Sequence, residues 1–470
     1  MRKIHKTLWL FLSIFLYIHT SAQAVGTPYI PLDKVPFSFM YGGTGADRGS
    51  AVIQTPDGGY LIGGASPSSM SGDVQGTTHG ARDFWIAKLN RYGRVEWQKL
   101  YGGSQDESAS DNYESTIQTT NDGGYIIACN TTSSASGDIT GTNHGGSDVW
   151  VFKINATGNI QWQKLYGGSG NESVRSLIRT SDGGYLMSVR TRSSANGDIT
   201  GTNHGGDDCW IVKLNTAGNI TWQKLYGGSG FESFSSVKQN SDGTYICAGS
   251  TNSASGDITG TYHGGSTDFW VVKLNTSGNI VWQSLYGGDK EDAANGVSPT
   301  ADGGYIVFGQ SSSSGTGDVT GTTHGNGDCW LVKINGSGAI QWQKLYGGNN
   351  LDAGNSVYQT SDGNYILFAD TLSSANGDIT ETSHGSYDIW VAKVGTSGNI
   401  LWQKLYGSST MDILRCVAKT SDNGYALMSL FTSVSDGDVT DAAKGSGDYW
   451  VLRLDASGNI ILVPDERQNN

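Results

Sequence analysis

The chain has 470 residues, 16 % of them charged, with 69 Gly, 14 Trp and a net charge of −13. Such acidity argues against nucleic acid or anionic membrane surfaces as partners, since phosphate binding needs a basic face, and such aromatic content excludes a disordered chain. Abundant Gly beside many aromatics suits short strands joined by tight turns.

At the amino terminus Arg2, Lys3 and Lys6 precede an apolar run from Leu8 to Tyr17 and then Ala22-Gln23-Ala24. This is the pattern of a signal peptide over residues 1–24, cleaved after Ala24; the run is too short to span a bilayer. Residues 25–34 read as a linker. Loss of the three basic residues takes the net charge from −13 to −16. The mature chain is expected to be secreted, periplasmic or at the cell surface, monomeric and without membrane insertion. Cys129, Cys209, Cys247, Cys329 and Cys416 are odd in number and fall inside predicted strands. They show neither a disulfide framework nor metal-ligand spacing, and read as small buried hydrophobes. No cofactor and no metal are expected.

Tyr-Gly-Gly begins at Tyr41, Tyr101, Tyr166, Tyr226, Tyr286 and Tyr346, and Tyr406 opens a Tyr-Gly-Ser variant. Six of the seven copies place a Trp 44 residues after the Tyr; the second copy, with Trp150, is five residues longer, in the stretch Asp106 to Glu114. Recurrence at this period means one supersecondary unit copied seven times over 35–464, with a tail at 465–470. In the third copy, Ser173 to Thr180 reads as a strand and Ser181-Asp182-Gly183-Gly184 as a hairpin turn. Tyr185 to Val189 is the second strand, Ser193 to Gly206 a polar loop, Trp210 to Leu214 the third strand and Ile220 to Tyr226 the fourth. Seven four-stranded meanders predict an all-β fold, a seven-bladed β-propeller of four-stranded antiparallel blades. A stacked solenoid is disfavoured by the hairpin-rich, long unit. Val35 to Tyr41 resembles a fourth strand, and the last copy lacks one after Ile460. One terminus is therefore expected to complete the blade begun by the other and close the ring.

The run Ser136 to Gly146, then Asp148 to Asn155 and Gly158 to Gly168, resembles the repeats of secreted β-propeller proteins of Bacteroidetes, of the SBBP-like kind. That resemblance implies the propeller fold and secretion, and leaves the ligand open. Members often end in a type IX sorting domain, which the stretch after Val463-Pro464-Asp465 does not resemble.

Three recurrent series look chemical. The first pairs His79, His144, His204, His263, His324 and His384 (Lys444 in the seventh copy) with Asp83, Asp148, Asp208, Asp268, Asp328, Asp388 and Asp448. A catalytic or metal role is one reading. A structural network tying loop to blade is favoured, because chemistry is needed once and not six times. The second is Asp73, Asp138, Asp198, Asp257, Asp318, Asp378 and Asp438 in Gly-Asp-Ile/Val, a turn-holding pattern without the ligand alternation of a calcium loop. The third is a carboxylate six residues after each Tyr: Asp47, Glu107, Glu172, Glu232, Asp292, Asp352 and Asp412. Asp111 is the equivalent in copy two when aligned backward. These stand where inner strands line a central channel and could form a ring open to it; bonding to their own Gly-Gly turns is the other reading.

Sites in repeat proteins lie where copies differ. Copy three holds Arg175, Arg179, Arg190 and Arg192, and the copy before it carries the acidic stretch with Asp106, Glu107, Asp111 and Glu114. The arginines read either as a site for a carboxylate- or sulfate-bearing ligand or as an interblade salt-bridge cluster. With no unique catalytic set, the sequence points to a non-enzymatic propeller binding a glycan or surface protein. A carbohydrate-active hydrolase or lyase at the channel mouth and a structural surface-layer component are the alternatives.

Overall fold

A computed structural model describes residues 34–108, 114–431 and 434–466. The expected signal segment, nearly all of the linker, Asp111 and residues 467–470 lie outside the described residues. Seven antiparallel sheets follow one another around a ring, as the repeats predict. Blade 3 is typical: an inner strand Glu172–Arg179, then Tyr185–Thr191, Asp208–Leu214 and an outer strand Ile220–Tyr226. The first turn closes because Gly183 adopts φ +82°, a left-handed value open to Gly at little cost. Asp182 fixes the turn by accepting from Gly184 N at 3.0 Å, and Lys213 on the third strand reaches the same carboxylate at 2.8 Å. This lysine–aspartate tie recurs around the ring. In blade 2 the Lys153 ammonium is the main cause holding Asp122 down to about 2.

The core is divided into seven apolar clusters, each shared by two adjacent blades. The third-strand tryptophans Trp85, Trp150, Trp210, Trp270, Trp330, Trp390 and Trp450 are fully buried at their centres. A buried indole N–H needs an acceptor. In blade 3 it is Gln223 on the outer strand, at 2.8 Å, and the Gln223 amide donates in turn to Asp198 O of the long loop. Across each seam the outer-strand tyrosine hydroxyl donates to a turn carbonyl of the next blade, as Tyr101 does to Gly158 O at 2.6 Å.

The ring closes with the amino-terminal strand. Ser38–Tyr41 pairs antiparallel with Asp448–Leu454 as the outer strand of blade 7, and Lys34–Pro36 pairs with Leu462–Pro464. Ser38 takes the part of the missing Gln: Trp450 Nε1 donates to its hydroxyl at 2.9 Å, and the hydroxyl donates to Asp438 O at 2.5 Å. Lys444, which stands where the other copies have His, bonds Met40 O and Asp73 across this seam.

Blade 2 departs from the pattern. Its inner strand is split into Glu107–Ser108 and Ile117–Thr119, both paired to Tyr125–Thr131. The five extra residues of copy two fall between the two pieces.

Candidate functional site

The recurrent polar residues are distributed evenly around the ring. Each of the six histidines bonds the aspartate at the start of its own third strand through Nδ1, at 2.6–3.0 Å. Four of them turn Nε2 toward an aspartate of the Gly-Asp series in the next blade, at 3.6–4.0 Å. Lys444 makes the corresponding contact to Asp73. The Gly-Asp series also grips the Tyr-Gly-Gly turns: Asp198 accepts from Gly167 N at 3.2 Å, and its own N–H donates to Gly167 O at 2.8 Å. The six His–Asp pairs are thus one per seam, and the structure does not bring them together. Among the described residues no group of three His, Cys, Asp or Glu is arranged to hold a metal.

The seven carboxylates of the third series are at most 1 % exposed. They do not form a ring open to the channel. Each turns into its own blade and accepts from the turn after Tyr-Gly, at 2.6–2.8 Å. Hydroxyls at the end of the second strand add to this; Thr191 and Ser193 both donate to Glu172, at 2.6 and 2.7 Å. The third-strand aspartate of the preceding blade approaches the first glycine of that turn. A Cβ added at Gly102 would lie 2.4 Å from Glu107 Oε2 and 2.7 Å from Asp83 Oδ1. Two buried carboxyl groups therefore meet at the seam, and desolvation with like charge favours a proton there. Burial, with Asp388 nearby, pushes Asp412 up to about 6.

The four arginines of copy three separate. Arg179 ends the inner strand and is exposed. Arg192 is exposed and bonds Asp207 at 2.5 Å. Arg175 and Arg190 line a cavity of about 270 Å³ at the end of the channel where the inner strands begin. Three further arginines complete it: Arg48 and Arg82 from blade 1 and Arg415 from blade 7. Among the described residues, Ser50, Ser108, Asn130 and Ser173 supply the rest of its polar lining. Five of the eleven arginines after residue 24 thus meet in one cavity of a chain whose net charge is −13.

Local structure explains the convergence. Arg175 and Arg415 occupy the same place in their inner strands, the extra residue at which the pairing register shifts. Such a bulge re-aims a side chain. Arg48 is the first residue of its inner strand. Arg190 stands opposite Ser173 on the second strand, with its guanidinium 5.6 Å from the Phe231 ring centre and 3.6 Å from Asp207. Asp370, buried beside Arg415, caps the start of that bulge by accepting from Leu414 N at 2.8 Å. Burial pushes it up to about 7, against the pull of Leu414 N–H and the Arg415 charge. Of the acidic stretch in copy two, Glu107 is tied to its own turn, while Glu114 reaches blade 4 and pairs with Lys238 at 2.5 Å. The arginines of blades 1 and 7 are invisible to a search within one copy. The signal that finds Arg415 is a column-by-column comparison of inner strands, where the bulge position is Arg only in copies three and seven; Arg48 and Arg82 stand outside that column.

No family profile matches the chain. It is 26 % identical over 233 residues to the regulatory protein FlaEY of Caulobacter vibrioides, a match covering 48 % of this chain and 23 % of that protein. The chain thus spans about a quarter of this relative's length. Similar solved structures include a protein of unknown function from Bacteroides caccae, at 14 % identity and TM-score 0.34, covering 66 % of this chain and 94 % of that one. Sqt1 from Chaetomium thermophilum has 12 % identity and TM-score 0.46, with coverages of 93 % and 88 %. The Pan2 WD40 domain of Neurospora crassa has 11 % and 0.45, with coverages of 90 % and 96 %.

Proposed function

We propose that this protein is a secreted or cell-surface propeller of the Bacteroidetes repeat type that binds the acidic group of a glycan or surface protein without enzymatic chemistry. The observation that carries this reading is the cavity lined by Arg48, Arg82, Arg175, Arg190 and Arg415. Guanidinium is always charged and offers a planar fork of donors to oxyanions. Charges of both signs are screened beyond about 8–10 Å, so this concentration of positive charge acts on an anion at close range although the chain as a whole is acidic. A binding role also suits the carboxyl groups, which are buried at all seven seams and engaged with their own turns.

The test is binding of the purified chain to immobilised neutral and acidic polysaccharides. Arg175→Ala and Arg48→Gln should each weaken acidic binding by about tenfold or more, the worth of a lost charge-assisted hydrogen bond. Arg192→Ala, outside the cavity, should leave it unchanged. Equal binding of neutral and acidic polymers, or binding indifferent to all three variants, would overturn the proposal.

A further inference from the structure

Grooves open beside the outer strands, where one blade meets the next. One of about 600 Å³ lies between blades 2 and 3, and one of about 830 Å³ occupies the corresponding place between blades 7 and 1. Both volumes fall in the range of roughly 300–1,000 Å³ usual for small-molecule sites. Between blades 2 and 3 the floor is apolar. Leu165 and Tyr166 end the outer strand of blade 2, and Gly218 and Ile220 come from the last turn and outer strand of blade 3. Gly141 of the long loop helps keep the groove open, since a Cβ there would lie 3.2 Å from Leu165. Blade 6 shows the alternative: Glu381 stands at the place of Gly141, and its carboxylate accepts from Leu405 N at 2.8 Å, so a side chain covers the outer strand. At the closing seam Asp441, Lys444 and Arg94 replace Gly141, His144 and Asn219, and the chemistry differs.

The rim of the groove between blades 2 and 3 is polar and balanced in charge. Asp198 accepts from Gly167 N through Oδ2 at 3.2 Å and stands 3.9 Å from His144 Nε2. Lys164 offsets its charge and donates to Asn219 Oδ1. Among the described residues no protein group bonds Asp198 Oδ1, Asn219 Nδ2 or the Thr142 hydroxyl, which belong to residues lining this groove. A carboxylate acceptor, an amide donor and a hydroxyl therefore stand over an apolar floor. That set suits a neutral polyhydroxyl ring, whose hydroxyls donate to the carboxylate and accept from the amide, and whose C–H face rests on Leu165 and Ile220. The same set recurs at two further seams, as Thr202, Asp257 and Asn279 between blades 3 and 4, and as Thr322, Asp378 and Asn399 between blades 5 and 6. We propose that these three seam grooves each take one neutral sugar residue, independently of the arginine cavity. Three like sites on one ring suit a repeating polymer, since linkage strengthens a weak single contact by about 10²–10⁴. An acidic polymer gains both kinds of contact and a neutral one only these, so the preference for acidic polysaccharides is kept.

Saturation-transfer NMR and calorimetry of the full chain with the methyl glycosides of glucose, galactose and mannose test this. At least one glycoside should bind, and Asp198→Asn, Asp257→Asn and Asp378→Asn combined should weaken it about tenfold or more. Those aspartates also hold the Tyr-Gly turns, so a second variant separates binding from folding. Asn219→Ala, Asn279→Ala and Asn399→Ala combined, at exposed turn positions, should weaken the glycoside to a similar degree with the melting temperature unchanged. Failure of all three glycosides to bind, or binding indifferent to the asparagine variant, overturns the seam sites. Glycoside binding that disappears with Arg48→Gln places the sugar in the arginine cavity and overturns them as well. Acidic polysaccharide binding that survives in either case leaves the acid-binding proposal standing.

Discussion

Phe39→Ala tests how the ring is held shut. Phe39 lies in the amino-terminal strand opposite Val451 of blade 7 and is 1 % exposed. Its ring packs tilted against Phe37, with centroids 4.8 Å apart, and presses on the turn of blade 1 so closely that a Cβ at Gly93 would stand 2.4 Å from it. Truncating a buried Phe removes the transfer free energy of the ring and leaves a void, together about 3–5 kcal/mol. The site is walled on three sides by blade 7, blade 1 and the terminal strand pair, so little collapse can offset the loss. Urea titration followed by tryptophan emission should show the midpoint moving down by that loss divided by the slope, with the slope unchanged. Leu401→Ala, on the outer edge of blade 6 and 55 % exposed, serves as the control and should stay within about 0.5 kcal/mol. A loss below about 1 kcal/mol for Phe39→Ala, or one matching Leu401→Ala, would refute the reasoning that this strand latches the ring.

Two more outcomes follow from the seams and the core. Asp412 is raised from 3.8 to about 6, chiefly by burial. Its proton therefore stabilises the fold fully below its ordinary value and ceases to do so as pH rises through about 6, a change of up to about 3 kcal/mol. Melting temperatures of the wild type should fall between pH 4 and 7, and Asp412→Asn should flatten part of that slope; an unchanged slope would place the proton elsewhere. The five cysteines are fully buried and burial pushes their thiols up. A thiol reagent should find none in the native protein and five after denaturation, and reaction before unfolding would contradict this packing.

Much of the architecture is written in local spacing. Tyr-Gly-Gly, the Asp-Gly turns and the third-strand tryptophans each report a feature that recurs every ~60 residues, and the blades fall where those marks predict. In six of the seven copies the aspartate of the third strand likewise announces its histidine partner four or five residues before it. The arginine cavity was half legible. Arg175 and Arg190 stand out as a departure within one copy, but Arg179 stands at the opposite end of the inner strand from Glu172, about 23 Å away at the rise of a strand. Arg192 faces Asp207 instead of the bore. The missing members are Arg48, Arg82 and Arg415; Arg48 and Arg415 lie 367 positions apart in the chain, and only ring closure makes those two neighbours. Which way a carboxylate turns was equally hidden: the seven that begin the inner strands could face the channel or their own turns, and the Gly and Ser/Thr donors beside them decide it.

The closing strand sets the order in which the chain can be completed. Ser38 meets Trp450, 412 positions onward. Joining ends that far apart costs about 4 kcal/mol more in chain entropy than closing a four-residue turn, so the locally paired blades form first and closure comes last. Until then blade 7 offers an unpaired edge along Asp448–Leu454, and the amino-terminal segment has no partner. Two half-finished chains meet each other's needs as well as their own, so refolding at high concentration is expected to yield strand-exchanged dimers, which gel filtration against a dilute refold would reveal.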